Sequence, residues 1–124
     1  MRLLLDTHLL LWFLDDPDAL LTKAELAAVR DPRNDVAVSV VALWELATKE
    51  ATGKLRLRSP VRPHLAPNNI SELPVRATHV DRYRDLPLLH RDPFDRMLVA
   101  QAIDEGLTLV TRDKTLLRYP VEVF

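Results

Sequence analysis

The stretch DPFDRMLVAQAIDEGLTLVTRD, residues 92–113, decides the fold. Asp92 followed by Pro93 has the pattern of a helix N-cap with proline at the first helical position, which predicts a helix running to about Glu105. Gly106 lies just past its end, and Leu107–Thr111 then reads as a strand. The same alternation extends outward. Arg2 to Asp6 is predicted as a short buried strand, His8 to Leu14 as an apolar helix, and Asp15, Asp16 and Pro17 as a turn. A helix over Thr22 to Arg30 is announced by Thr22 and Glu25, which match the S/T-x-x-E capping box. Val36 to Val40 reads as a strand and Val41 to Ala51 as a helix capped by Gly53. Lys54 to Asn69, with three prolines, is expected to be loop with one short helix. Glu72 to Val75 follows as a strand, Thr78 to Asp85 as a helix, Asp113 to Arg118 as a helical turn, and Val121 to Phe124 as a last strand. Strands and helices in this rhythm predict an α/β fold, a three-layer α/β/α sandwich around a mainly parallel sheet of four or five strands. Ligands in such sheets bind beyond the carboxyl ends of the strands.

Composition narrows the chemistry. The 124 residues suit a single domain, 1–124, and the longest apolar run, Leu9 to Leu14, is far too short to cross a bilayer, so no membrane is expected. Asp6 and His8 interrupt what a signal peptide would need to keep apolar, so Met1 is expected to be the start of a cytoplasmic protein. The absence of cysteine excludes a disulfide framework, a thiolate metal site and a cysteine nucleophile. With glycine only at positions 53 and 106, no glycine-rich phosphate loop can be written. A formal charge of −1 argues against the bulk basic footprint of a simple nucleic-acid binder, although overall balance can hide local asymmetry.

Four carboxylates are placed by this reading at one end of the sheet. Asp6 ends the first strand, Glu45 lies in the helix after the second, Asp95 is in the first turn of the helix opened at Asp92, and Asp113 follows the strand Leu107–Thr111. Each has a local alternative. Asp6 and Asp113 suit N-caps, Glu45 suits an i,i+4 pair with Lys49, and Asp92 and Asp95 suit the N-cap and third position of their helix. Their coincidence is what carries weight, because four clustered like charges raise one another's pKa unless a cation sits among them. Hard Mg²⁺, or Mn²⁺ in its place, suits an all-oxygen donor set. The four histidines show no metal-ligand spacing; His8 and His90 flank the acidic motifs.

The stretches Leu4-Leu5-Asp6-Thr7-His8, Ser39 through Leu43-Trp44-Glu45, His90 through Arg96 and on to Gln101-Ala102, and Leu109 through Asp113 resemble a PIN domain, and more narrowly the VapC-type toxins of type II toxin-antitoxin systems. The resemblance runs nearly end to end, with all four acids in order. It implies a magnesium-dependent endoribonuclease with RNA as substrate, Asp6, Glu45, Asp95 and Asp113 as the catalytic, metal-positioning set, a homodimer, and a VapB-type antitoxin as partner. Thr7, Ser39 and Thr111 stand beside these acids as candidates for bonding ligand oxygens, Asp92 as an acidic neighbour, and Arg96 and Arg112 as candidates for substrate phosphates. The antitoxin is expected in an apolar groove around Leu10, Trp12, Phe13 and Trp44, both tryptophans being read as core or interface anchors.

Other small α/β proteins with acidic pockets fit less well. A phosphoacceptor receiver needs an Asp ending its third strand, where Val75 is expected here, and an Asp-nucleophile phosphatase needs an acid where His8 stands. The alternative is a non-catalytic binding or regulatory module that keeps the nuclease fold; an intact acidic quartet speaks against it.

Overall fold

The computed structural model describes residues 1–124 as a four-stranded, all-parallel sheet between two helical layers. The strands are β1 (Arg2–Leu5), β2 (Asp35–Ser39), β3 (Ile70–Leu73) and β4 (Thr108–Val110), in the order β3-β2-β1-β4. The helices are α1 (Thr7–Asp15), α2 (Pro17–Leu20), α3 (Lys23–Arg30), α4 (Val40–Ala51), α5 (Ala77–Asp85) and α6 (Pro93–Glu105). The expected sandwich is borne out.

β1 is a central strand, and its Leu3, Leu4 and Leu5 have no solvent exposure, as a strand covered on both faces requires. Side-chain alternation splits them between two cores. Leu3 and Leu5 join Leu9, Leu10, Phe13, Val36, Val38 and Leu46 on one face, whereas Leu4 joins Leu98, Val99, Leu109 and Leu116 on the other. Each leucine removed from water contributes about 1.5–3 kcal/mol. The chain leaves β1 for β2 on one side and returns through β4 on the other, so connections diverge between β1 and β4. That divergence opens a crevice at the carboxyl ends of these two strands.

Several boundaries differ from the sequence reading. Strand β3 lies at Ile70–Leu73 and not at Glu72–Val75, because Ile70 fills the core at 3% exposure and Pro74 has no N–H for the ladder. The last segment is not a strand: after Pro120 it makes one parallel bridge, Leu109 to Val123. The expected turn at Asp15–Pro17 leads directly into α2, which starts at Pro17 and is capped by the Asp16 carboxylate, accepting from the Ala19 N–H. Between Lys54 and Asn69 two 3-10 turns, Arg62–His64 and Ala66–Asn68, replace the one short helix, and Asn69 at φ 56° turns the chain into β3. The capping box at Thr22 and Glu25 and the N-cap at Asp92 form as expected. So does the left-handed cap at Gly106, φ 66°.

Candidate active site

The four acids meet at the crevice, and in three of them one carboxylate does two jobs. Asp6 caps α1 through Oδ1, which accepts from the Leu9 N–H at 2.8 Å. Its Oδ2 accepts from the Thr111 hydroxyl at 2.6 Å, tying the end of β1 to the end of β4. Glu45, reaching in from the second turn of α4 with 4% exposure, accepts from the Thr7 hydroxyl at 2.8 Å and pairs with Lys49 Nζ at 2.8 Å. Asp113 caps the following 3-10 turn through Oδ1, which accepts from the Thr115 N–H at 2.9 Å, and its Oδ2 lies 3.3 Å from His90 Nε2. Asp95 alone of the four accepts from neither a backbone N–H nor a hydroxyl; its Oδ2 lies 3.3 Å from His90 Nε2. It sits at the third position of α6, where the Asp92 carboxylate accepts from its N–H.

Electrostatics separates them. Burial pushes the Asp95 carboxyl up to about 7, with the charges of Asp92, Glu45 and Asp113 adding and His90 opposing. Burial also raises Asp6, helped by the charge of Glu45, although the Thr111 and Leu9 hydrogen bonds work the other way. Asp113 goes down: burial opposes its ionisation, but the Thr115 and His90 contacts outweigh that.

His90 is held among these groups. Its Nδ1 accepts from the Asp92 N–H at 3.0 Å, which assigns the ring proton to Nε2. That N–H faces Oδ2 of Asp95 and Oδ2 of Asp113, each 3.3 Å away. His90, Asp95 and Asp113 offer ligand atoms all within 4.8 Å of one another. A second such group, His79, Asp104 and Glu105, differs in kind. There His79 Nδ1 accepts from the Arg76 N–H and Nε2 bonds Glu105, while Arg76 and Arg82 pair with the two carboxylates. Its charges are already balanced by side chains, whereas the crevice carries excess buried negative charge on oxygen donors. The crevice therefore fits a hard divalent cation.

The remaining sequence candidates divide. Thr7, Thr111 and Asp92 touch or polarise the acids. Ser39 caps α4 and donates to Gln101, fully buried and turned to the core. Arg96 does not face the crevice: its guanidinium lies 4.5 Å over the Tyr83 ring and donates to the carbonyls of Tyr83 and Leu86. Arg112 is likewise committed elsewhere, donating to Glu25 at 3.0 Å and to the Leu20 carbonyl, with its guanidinium 4.5 Å over Trp12. Both arginines are thus held by groups outside the acidic cluster, ten or more residues away along the chain. His90 is the site residue that spacing did not assign; its position two residues before the Asp92 cap was the available signal.

The family profile described as PIN domain matches residues 3–122. The chain belongs to the PIN-domain family. Ribonuclease VapC22 of Mycobacterium tuberculosis (strain ATCC 25618 / H37Rv) is 31% identical over 120 residues, covering 91% of this chain and 88% of that protein, which bears out the VapC-type resemblance. Among solved structures, VapBC2 from Rickettsia felis bound to a promoter DNA fragment superposes with a TM-score of 0.74 at 22% identity, covering all of this chain and 98% of the other. FitAcB from Neisseria gonorrhoeae gives 0.65 at 21% identity, over 98% and 96%. These two likenesses establish the PIN fold independently of the sequence motifs.

Proposed function

We propose that this PIN-domain protein is a divalent-metal-dependent endoribonuclease, the toxin of a toxin-antitoxin pair, with Asp6, Glu45, Asp95 and Asp113 holding Mg²⁺ or Mn²⁺. The observation that carries the reading is the convergence of four buried or half-buried carboxylates at the β1/β4 crevice, one of them held at about 7. A bound divalent ion would supply a nucleophile at neutral pH and an electrophile for the phosphodiester. The chain's own residues do the positioning. Thr7 and Thr111 fix the rotamers of Glu45 and Asp6, α1 and the 3-10 turn anchor Asp6 and Asp113 by their N–H groups, and His90 steadies Asp95 against Asp113. The relative named a ribonuclease VapC supports RNA as the substrate class.

The partner reading rests on a cleft of about 750 Å³ where the end of α1 meets residues 55–68. Trp12 and Phe13 line it as expected, but Leu10 is sealed in the core and Trp44 lies on the outer face of α4 against Phe94. Apolar walls rimmed by Arg30, Arg56 and Arg58 suit an amphipathic, acidic segment of a VapB-type antitoxin. A homodimer and a cytoplasmic location complete the proposal. Expression of the chain alone should arrest growth, Asp113→Asn should relieve the arrest, and the product of the adjoining small reading frame should co-purify with the chain. Arrest by the Asp113→Asn variant equal to wild type would contradict the proposal.

A further inference from the structure

An aromatic pair beside the acids remains without a role. Trp44 is 63% exposed on α4, and its ring meets Phe94 of α6 edge-on, with centroids 4.8 Å apart and planes at 81°. The sequence reading gives this tryptophan to the core or an interface; the structure takes it out of the core, because the residue is mostly exposed. Trp44 directly precedes Glu45 and Phe94 directly precedes Asp95, so the helix pair that brings these two acids together also brings these two rings together. The edge-on contact fixes the orientation of the indole and leaves ring surface open.

The cations around the crevice complete the pattern. Arg96 and Arg112 are committed to carbonyls, Glu25 and aromatic rings, whereas Arg91 and Lys114, the residues after His90 and Asp113, are exposed and outside any ion pair. A strand of nucleic acid held by exposed cations still needs its bases placed, and aromatic faces do this for unpaired bases. We propose, resting on the ribonuclease reading above, that Trp44, braced by Phe94, stacks a nucleobase flanking the scissile phosphate and so carries much of the site's affinity for an unpaired strand. The outer face of α4 otherwise offers Val40 with small neighbours, Ala47 and Thr48, so it presents one large anchor rather than a broad apolar seam. One anchor suits a base better than it suits a second copy of the chain.

Trp44→Leu keeps apolar bulk and removes the π-face, and Trp44→Phe keeps a smaller one. Binding of a fluorescently labelled, unstructured RNA 12-mer is read by anisotropy in EDTA, alongside steady-state cleavage in Mg²⁺ and the mass in solution by light scattering. The leucine variant should bind the single strand about 5- to 150-fold more weakly, the range that one lost base–aromatic stack covers. Its KM should rise while kcat stays within about twofold, Phe should restore most of the affinity, and duplex RNA binding should be the same for all three proteins. Unchanged single-strand binding by Trp44→Leu would overturn the assignment. So would conversion of a wild-type dimer to monomer by that substitution, which would give the face to a second copy. Failure of wild type to cleave RNA would instead count against the nuclease reading, while the EDTA binding series still reports on Trp44 separately.

Discussion

Asp95→Asn is expected to make the metal-free protein more stable at alkaline pH. A carboxyl displaced from an ordinary 3.8 to about 7 disfavours its ionised form in the fold, by roughly 4 kcal/mol if fully expressed. The side chain retains 23% exposure, and solvent screening reduces the figure to about 2 kcal/mol. Against this, the asparagine loses the favourable interaction of a carboxylate with the first turn of α6, about 0.3–1 kcal/mol. The net gain is about 1 kcal/mol at pH 8.5, a Tm rise of roughly 3–6 °C for a domain of this size. The sign follows from proton linkage. Between 3.8 and about 7 the folded protein binds more protons at Asp95 than the unfolded chain does, so wild-type stability falls as pH rises through that window and is flat above it. The variant lacks that fall, so its advantage should shrink on going from pH 8.5 to pH 5. Urea unfolding of both proteins in EDTA at the two pH values reads the difference directly. A variant less stable than wild type by about 1 kcal/mol at pH 8.5, or a gap that does not change with pH, would refute the reasoning.

Glu45→Gln should shrink the Tm increase that excess Mg²⁺ produces, because the ion's Kd rises and its contribution RT ln(1 + [L]/Kd) falls; identical shifts in variant and wild type would remove Glu45 from the ligand set. Thr111→Val takes the hydroxyl donor from buried Asp6 and should destabilise the protein at pH 8 by about 1–3 kcal/mol. That loss should diminish as Asp6 protonates on acidification, which urea titrations at pH 4.5 and 8 would show. Arg112→Ala should destabilise by roughly 1–2 kcal/mol through loss of the Glu25 pair and the Trp12 contact, yet leave RNA cleavage per folded molecule unchanged; a large loss of kcat would return Arg112 to the substrate.

Local chemistry made much of this fold legible. The Thr22–Glu25 box, the Asp92–Pro93 start and Gly106 each satisfy backbone groups within a few residues, and each appears as read. The alternatives weighed for the acids were also real: Asp6 and Asp113 are caps, and Glu45 does pair with Lys49. A carboxylate has two oxygens, so capping with one leaves the other for a neighbour or an ion. What local reading missed depends on partners far along the chain. Arg112 finds Glu25 across 87 residues, and His90 faces an acid 23 residues away. Strand β3 is set by Ile70 reaching the core and by Pro74 ending the ladder, which its short, half-exposed sequence does not announce. Trp44 sat in an apolar helix, but helical spacing turned it outward while Val41, Glu45 and Leu46 turned in.

The central claim is that these carboxylates hold a divalent ion for RNA cleavage, and the most direct measurement is the initial rate of hydrolysis of an unstructured RNA as Mg²⁺ is titrated from an EDTA baseline, for wild type and Asp95→Asn side by side. The account predicts no cleavage by wild type in EDTA, a saturable rise with Mg²⁺ or Mn²⁺, and an Asp95→Asn rate that stays near the baseline. Equal wild-type cleavage in EDTA, or a variant that follows the wild-type titration, would contradict it.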